Sequence, residues 1–246
     1  MALITMGTGD TINTSGGMLH FCGIGWAGQA GRRVGESPDQ PASVAFVSGA
    51  CLAVPADVWR EAGGFPDWYF MYCEDVDLSL RIRLQGGAVG LTPAARVVHD
   101  YTFDKGPSKW RLLERNRWAT LLRCYPTLVL VVIAPALLVV ELAVWVMAAR
   151  QGWLRMKAQA AADVVRALPR LMRERRQIQA GRRIDALRFA EPLTAKLDSP
   201  YLGEYADSLV EHGSRAYWSL ALHLLKLLSR DRRHQPAADH NMYVQR

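Results

Sequence analysis

The sequence predicts an α/β protein, with a partial mixed sheet and flanking helices followed by a mainly helical C-terminal region that contains a transmembrane or re-entrant helix. Short β-prone runs alternate with helix-like segments over roughly the first half of the 246 residues. Residues 127–149 then form an apolar run with a single charge, Glu141. Alanine-rich and arginine-rich segments beyond it are typical of amphipathic helices.

The composition excludes both a disordered chain and a polytopic membrane protein, since 50% of the residues are hydrophobic and 22% are charged. The net charge is +7, and cations are concentrated between Arg150 and Arg188, beside the apolar run. This arrangement favours a segment on the cytoplasmic membrane surface. No aromatic-and-basic pattern accompanies the charges, so no nucleic-acid partner is predicted. The four cysteines form no C-x-x-C pair and predict neither a zinc site nor a disulfide framework.

The first elements are short. Residues 1–40 are rich in glycine, which favours a mobile loop that covers a substrate, or else a plain linker. Val44–Val47 is a β-prone run. Residues 55–62 predict a helix with Pro55 at its first turn, and Gly63-Gly64 ends it.

Residues 75–85 predict a second helix. Their apolar positions alternate and would also suit a strand, but acidic residues at 75 and 77 fit a first helical turn, and Gly86-Gly87 fits a C-terminal stop. Ala88–Leu91 and Arg96–Val98 predict two short strands on either side of Pro93.

The apolar run Thr127–Ala149 is long enough, at about 1.5 Å per residue, to span a hydrocarbon core of roughly 30 Å. Pro135 would kink it, so a re-entrant hairpin with both flanks in the cytoplasm is one alternative, and a buried core helix is another. Residues 154–188 predict helix with a break at Pro169. Tyr217–Leu228 is too short to span and predicts an interfacial or packing helix.

These elements predict four regions along the chain. They are an α/β domain over 1–120, a membrane helix over 121–150, basic amphipathic or interfacial helices over 151–230, and a disordered tail over 231–246.

The residues that carry chemistry lie between Phe46 and Tyr101. Gly63-Gly64 lets the backbone approach a ligand closely, and an aromatic patch that includes Phe65 and Trp68 follows it. Glu74 and Asp75 then stand at the start of a predicted helix, whose dipole stabilises negative charge. Aromatic rings beside a carboxylate are typical of a saccharide site. A helix cap next to a core cluster is the alternative.

Residues 48–81 resemble the second half of the catalytic domain of family 2 glycosyltransferases, which has a GT-A fold. The resemblance is carried by Ser48-Gly-Ala, Gly63-Gly-Phe and residues 70–81, Phe-Met-Tyr-Cys-Glu-Asp-Val-Asp-Leu-Ser-Leu-Arg. It is closest to the bacterial rhamnosyltransferase-like branch and extends over about residues 5–130. Pro93, His99 and the Arg115-Asn116-Arg117 motif match positions of that branch.

The resemblance implies a role for each matching residue. Asp75 is the expected base of an inverting transfer, with Glu74 as its partner at the acceptor site. His99 is expected to face a metal-bound diphosphate, with Mg²⁺ or Mn²⁺ as the cation. Asp77 is expected to stabilise its helix, and Arg81 either pairs with Asp77 one turn on or faces the phosphates. The expected substrate-binding residues are Ser48, Gly49, Gly64, Phe65, Trp68 and Arg81.

The resemblance also implies partners. The expected reaction moves a sugar from a nucleotide-sugar donor to a lipid-linked or cell-envelope polysaccharide acceptor, at the cytoplasmic face of the membrane. The donor-binding half of the family's domain, with its metal-binding D-x-D, has no counterpart before Met1, so a separately encoded half is an expected partner. The alternative is a non-catalytic membrane partner, or a decayed fragment that keeps the acceptor-side fold.

Overall fold

The computed structural model of the protein describes residues 1–100, 106, 108–196 and 208–230. A four-stranded mixed sheet has the order β2-β1-β6-β5. Its strand β1 pairs in parallel with β6, whereas β1–β2 and β5–β6 are antiparallel. Strands β3 and β4 form a separate antiparallel pair. The predicted α/β class with a mixed sheet, flanking helices and a helical C-terminal region is confirmed. The strands are β1 Ala2–Met6, β2 Thr11–Thr14, β3 Gly17–Leu19, β4 Gly25–Ala27, β5 Ala42–Ser43 and β6 Gly90–Val98.

The prediction of a loop or linker over residues 1–40 was wrong, because four of the strands lie there. Three of the glycines, Gly16, Gly17 and Gly28, serve close packing. A Cβ at Gly17 would lie 2.3 Å from the ring of Phe46, so only glycine lets β3 approach that ring. The strand predicted over Val44–Val47 is displaced to β5, and Phe46 makes only an isolated bridge with Gly17.

The two strands predicted around Pro93 form one strand, β6. Its pairing with β1 shifts register between Thr92 and Arg96, and Pro93 lies within that irregularity. A proline has no N–H to donate to a sheet, so it is tolerated at such a bulge.

The helices of the first domain agree with the sequence. Helix α1 (Ala56–Ala62) follows Pro55, and Gly63, with φ 81°, ends it. Helix α2 spans Glu74–Leu84 and has acidic residues in its first turn, as the sequence predicts.

Five helices follow, with bounds α3 Ser108–Cys124, α4 Thr127–Arg150, α5 Leu154–Ala180, α6 Ala186–Ala190 and α7 Ser208–Arg230. The break predicted at Pro169 was wrong, since α5 continues through it with the proline exposed to solvent. Helix α4 is long and apolar enough to cross a membrane, and 11% of its most apolar window is buried. The predicted disordered tail, 231–246, lies outside the described residues.

The largest core cluster joins the two parts of the chain. It combines apolar side chains of β3, α2 and α3 with those of α4, α6 and α7. Strand β3, α2 and α3 therefore share a core with the C-terminal helices, whereas Leu3, Ile12 and Leu91 of the main sheet form a separate cluster. Central members are Phe21, Leu80, Leu84, Leu121, Tyr125, Ile133, Phe189 and Leu225.

Candidate functional site

Glu74 and Asp75 open helix α2 and lie against the Ser48-Gly49 turn. The backbone N–H of Gly49 donates to Asp75 Oδ2 at 2.9 Å, and the N–H of Val76 donates to Oδ1 at 2.8 Å. Ser79, one turn further along α2, donates to the Asp75 carbonyl and accepts from Val47 N–H. Two segments that the sequence predicts for one site are thus in direct contact.

The two carboxyl groups have an unusual electrostatic setting. Burial raises the pKa of Asp75, although backbone N–H bonds from Gly49, Val76 and Asp75 itself act in the opposite direction. Burial, together with the negative charge of Asp75, also raises the pKa of Glu74. Within the described residues, Glu74 Oε2 has no hydrogen-bond partner. A raised pKa makes an ionised carboxylate a stronger proton acceptor, as a general base requires.

The backbone immediately before α2 is strained. Phe70, Tyr72 and Cys73 have φ values of 60°, 70° and 62°. These values lie in the left-handed region of the backbone, which residues other than glycine rarely adopt. Such conformations cost about 1–3 kcal/mol each and persist only where the surroundings impose them. They are concentrated at functional sites, so the strain marks the loop that presents Glu74 and Asp75.

The surroundings that impose this strain come from helix α3. Asn116 is fully buried, and its amide nitrogen lies 3.1, 2.8 and 2.8 Å from the carbonyl oxygens of Tyr69, Met71 and Tyr72. Arg115 donates to the carbonyls of Trp68 and Tyr69 at 2.9 and 2.8 Å. We call this set of bonds the α3 clasp, since it fixes residues 68–72 against α3.

Aromatic rings of this loop differ in how accessible they are. Phe70 is 80% exposed and Phe65 is 37% exposed. The guanidinium of Arg115 covers Trp68 at 4.6 Å from the ring centroid. Phe65 packs edge-on against Trp59, with ring centroids 5.1 Å apart. Phe70 and Phe65 therefore offer more open ring surface to a sugar than Trp68 does.

Arg81 and Asp77 lie behind the loop in the core. Arg81 Nε donates to Asp77 Oδ1 at 2.6 Å, and its terminal nitrogens donate to the carbonyls of Ala62 and Gly64. Asp77 is fully buried and also accepts from Arg123 at 2.7 Å. Arg81 thus holds Gly64 in place, and its predicted contact with substrate remains a prediction.

His99 follows strand β6 and is exposed. Its backbone N–H donates to the Thr5 carbonyl, and its own carbonyl accepts from the side-chain amide of Asn13. Among the described residues, no group of three or more histidine, cysteine or acidic side chains converges to hold a metal ion. The described side chains therefore do not fit a complete divalent-cation site.

Two cavities of about 860 and 840 Å³ lie elsewhere. The first is lined by Gly16, Gly28, Arg83 and Arg188 among others, and the second by Asp10, Arg33 and Arg96 among others. Neither is lined by Glu74 or Asp75. The carboxylates instead occupy a partly exposed position at the surface.

The sequence groups the Ser48-Gly49, Gly64-Phe65 and Glu74-Asp75 segments and includes Phe70 in the aromatic patch, but it does not assign Asn116 or Ser79 to the site. Asn116 had been noted only as part of a membrane-proximal motif. Its contacts lie 44 to 47 residues away, a separation at which no local pattern operates.

The α3 clasp gives a testable result. We expect Asn116→Ala to lower the free energy of unfolding by about 1–3 kcal/mol, because three carbonyl oxygens lose their buried donor. We also expect faster chymotrypsin cleavage after Phe70 and Tyr72, measured by mass spectrometry. The control is Gln177→Ala, at an exposed position of α5. Equal cleavage rates in Asn116→Ala and Gln177→Ala would show that the clasp does not hold the loop.

Parts of the sequence are similar to known proteins. A model of glycosyl transferase family group 2 matches residues 32–162, slightly more than half of the chain. An N-acetylglucosaminyl-diphospho-decaprenol L-rhamnosyltransferase of Mycobacterium tuberculosis is 40% identical over 71 residues, which are 29% of this chain and 22% of that protein. Rhamnosyltransferase WbbL of Escherichia coli is 38% identical over 80 residues, 30% of each chain.

The chain spans less than a third of the length of these curated relatives. No solved structure matches it.

Proposed function

The chain belongs to glycosyl transferase family group 2, and we propose that it forms the acceptor side of an inverting glycosyltransferase. The proposed reaction transfers a sugar from a nucleotide-sugar donor to a lipid-linked or cell-envelope polysaccharide acceptor. The observation that carries the proposal is the position of Asp75. It is a partly exposed carboxylate with a raised pKa, held by Gly49 N–H at the start of α2 and preceded by a strained loop.

In the proposed step, Asp75 is the general base. As the acceptor hydroxyl oxygen forms a bond to the anomeric carbon of the donor, its proton moves to the Asp75 carboxylate. The bond from the anomeric carbon to the nucleoside diphosphate breaks, and its electron pair leaves with the diphosphate. Attack from the face opposite the leaving group inverts the anomeric configuration. One proton and one glycosyl group are thereby transferred, and no oxidant or reductant is needed.

Glu74 and the exposed rings are proposed to position the acceptor. Glu74 is partly exposed as a residue and its carboxylate is the proposed acceptor for a second sugar hydroxyl, while its Oε2 is buried without a hydrogen-bond partner. Phe70 and Phe65 offer ring faces on which a saccharide can stack. The Ser48-Gly49 turn completes this surface, with Ser79 and the α3 clasp as positioning groups, whereas Gly64 is buried and supports the loop from behind.

The remaining parts of the account are proposals about partners. The donor nucleotide and any divalent cation are proposed to bind mainly to a separately encoded donor-binding half, with His99 at its edge. The apolar helix α4 supports an acceptor at the cytoplasmic membrane face, since a polyprenyl-linked sugar resides in the bilayer. The decaprenol-linked sugar in the name of the mycobacterial relative agrees with such an acceptor.

Transfer of radiolabelled sugar tests this proposal. Membranes from cells that express the full chain, and matched membranes that lack it, are incubated with a panel of UDP- and dTDP-sugars, and the label in lipid extract and in polysaccharide is counted. We expect incorporation from at least one donor that depends on the chain. Equal incorporation with and without the chain, for every donor, would favour the alternative of a non-catalytic membrane partner.

A further inference from the structure

Glu141 is the only acidic residue of helix α4, and side chains of the neighbouring helices enclose it. Its carboxylate oxygens lie 2.6 Å from Arg117 Nη2 on α3 and 2.6 Å from Lys157 Nζ on α5. Indole N–H groups of Trp118 and Trp145 donate to it at 3.1 Å. Arg117 and Lys157 are buried, so α3 and α5 both contact α4 at this level.

Helix α5 packs mainly against α3, and it contacts α4 at two levels with the opposite chain direction. Near its start, Lys157 meets Glu141 in the second half of α4. Near its end, Arg175 donates to Thr127, the first residue of α4, at 2.8 Å. The cations of α5 are Arg155, Lys157, Arg166, Arg170, Arg173, Arg175 and Arg176.

The position of α5 beside α4 limits how α4 can lie in a bilayer. If α4 crossed the hydrocarbon core, α5 would cross with it, because the contacts at Glu141 and Thr127 fix the two helices side by side. Helix α3 would enter too, with Arg117 and the α3 clasp. Arginine and lysine side chains are strongly disfavoured at that depth. A perpendicular α4 is therefore incompatible with the packing of the described helices.

The outward face of α4 is nevertheless as apolar as the inward face. Val131, Leu138, Leu142 and Val146 recur at helical spacing and are each at least half exposed. The opposite stripe, which includes Val129, Ile133, Leu137, Val144 and Ala148, is buried.

Helix α7 packs beside α4. The Tyr217 hydroxyl donates to the Val132 carbonyl at 2.6 Å and joins the two helices. Trp218, Ala221 and Leu225 of α7 are buried in the common core. A second stripe of α7 is exposed and consists of Leu220, Leu224, Leu227 and Leu228. We call the exposed stripes of α4 and α7 the apolar face.

We propose that the apolar face lies in the plane of an anionic lipid bilayer, with α4 half embedded beside α7 and not crossing the membrane. Cations favour this occupant over a second protein copy. Arg150 ends α4, Arg155 begins α5 and Lys226 lies on α7, and all three are exposed. The inference rests on the membrane location in the proposed function and does not depend on glycosyl transfer. In this arrangement the α3 clasp, which holds the Glu74-Asp75 loop, belongs to α3, a helix that contacts α4.

Labelling from the two sides of sealed vesicles tests the orientation. Ala149→Cys, at the exposed end of α4, is compared with Asp57→Cys, at an exposed position of α1. Inside-out and right-side-out membrane vesicles with the full chain are treated with an impermeant maleimide, and mass spectrometry identifies the labelled peptide. We expect both positions to react from the same side. Reaction of the two positions from opposite sides would mean that α4 crosses the membrane and would overturn the proposal.

Vesicle flotation tests the occupant. The purified full chain is mixed with phosphatidylglycerol–phosphatidylcholine vesicles or with phosphatidylcholine vesicles alone. We expect stronger binding to the anionic vesicles, and the double variant Leu138→Glu, Leu142→Glu should lower the partition coefficient at least about tenfold. Ala94→Glu, at an exposed position of β6, is the control.

The remaining outcomes also decide the matter. Equal vesicle binding by the double variant and the control would overturn the proposal. A lipid-independent dimer that the double variant dissociates, without vesicle binding by the wild type, would assign the apolar face to a second copy and would also overturn it. Asp75→Asn should bind vesicles like the wild type. Intact vesicle binding without sugar transfer would therefore count against the proposed function alone.

Discussion

Replacing Asp75 with asparagine will lower the rate of sugar transfer by about 10²–10⁴-fold, the contribution typical of a positioned general base. The amide keeps the size of the side chain and still accepts the hydrogen bond from Gly49 N–H, but it does not take a proton from the acceptor hydroxyl. The measurement is the initial rate of radiolabel transfer in membranes that express equal amounts of each variant.

Two variants give this result its meaning. Asp57→Asn removes an exposed carboxylate from the first turn of α1 and should transfer at the wild-type rate. Glu74→Gln should lower the rate less than Asp75→Asn, because Glu74 is proposed to bind a hydroxyl without removing its proton. Wild-type transfer by Asp75→Asn would exclude this carboxylate as the base.

Asp77→Asn will lower the free energy of unfolding by about 3–5 kcal/mol, as expected when one partner of a buried ion pair is removed. The buried carboxylate is bonded to Arg81 at 2.6 Å and to Arg123 at 2.7 Å, and it accepts from the Tyr69 hydroxyl at 3.2 Å. The neutral amide leaves Arg81 without its counter-charge, and Arg123 then pairs with Glu174 alone, at 2.8 Å. Urea unfolding followed by circular dichroism in mild detergent measures the change.

The same unfolding measurement tests whether the loss comes from unpaired buried charge. Replacing all three charges together, as Asp77→Leu, Arg81→Met and Arg123→Met, should recover part of the lost stability, because no buried charge is then left unpaired. Asp57→Asn serves again as the exposed control. A loss of less than about 1 kcal/mol in Asp77→Asn would mean that the network contributes no more than an exposed surface pair.

Local chemistry in the sequence predicted the elements that are determined locally. The start of α2 follows from its acidic first turn, and the end of α1 follows from Gly63, which adopts φ 81°. The run from Thr127 is apolar throughout and forms one helix, α4. In each case the deciding residues lie within the element or next to it.

Contacts between distant segments could not be predicted in the same way. Phe70 and Tyr72 adopt positive φ only because Asn116 and Arg115 hold the backbone from another helix, and neither residue type indicates that conformation. The glycines near residue 17 indicated a loop, since the ring of Phe46 that makes glycine necessary lies about 30 residues further along the chain.

The surroundings of Glu141 on α4 could not be predicted from the local sequence either. In the sequence it is a single charge in an apolar run, which the length rule assigns to a span. Its partners Arg117 and Lys157 lie 24 residues before it and 16 residues after it, on helices that pack beside α4. Only that packing supports the proposal that α4 lies in the membrane surface without crossing it.

The pH dependence of transfer tests the central claim most directly, namely that the Asp75 carboxylate removes the acceptor proton. Burial raises the pKa of Asp75 above the ordinary aspartate value of about 3.9, so the base is ionised above that raised pKa and is lost as the pH falls through it. We expect wild-type transfer to fall about tenfold per pH unit on this acid limb, and the limb to be absent from the residual activity of Asp75→Asn. An acid limb that remains unchanged in Asp75→Asn would show that another group is the base.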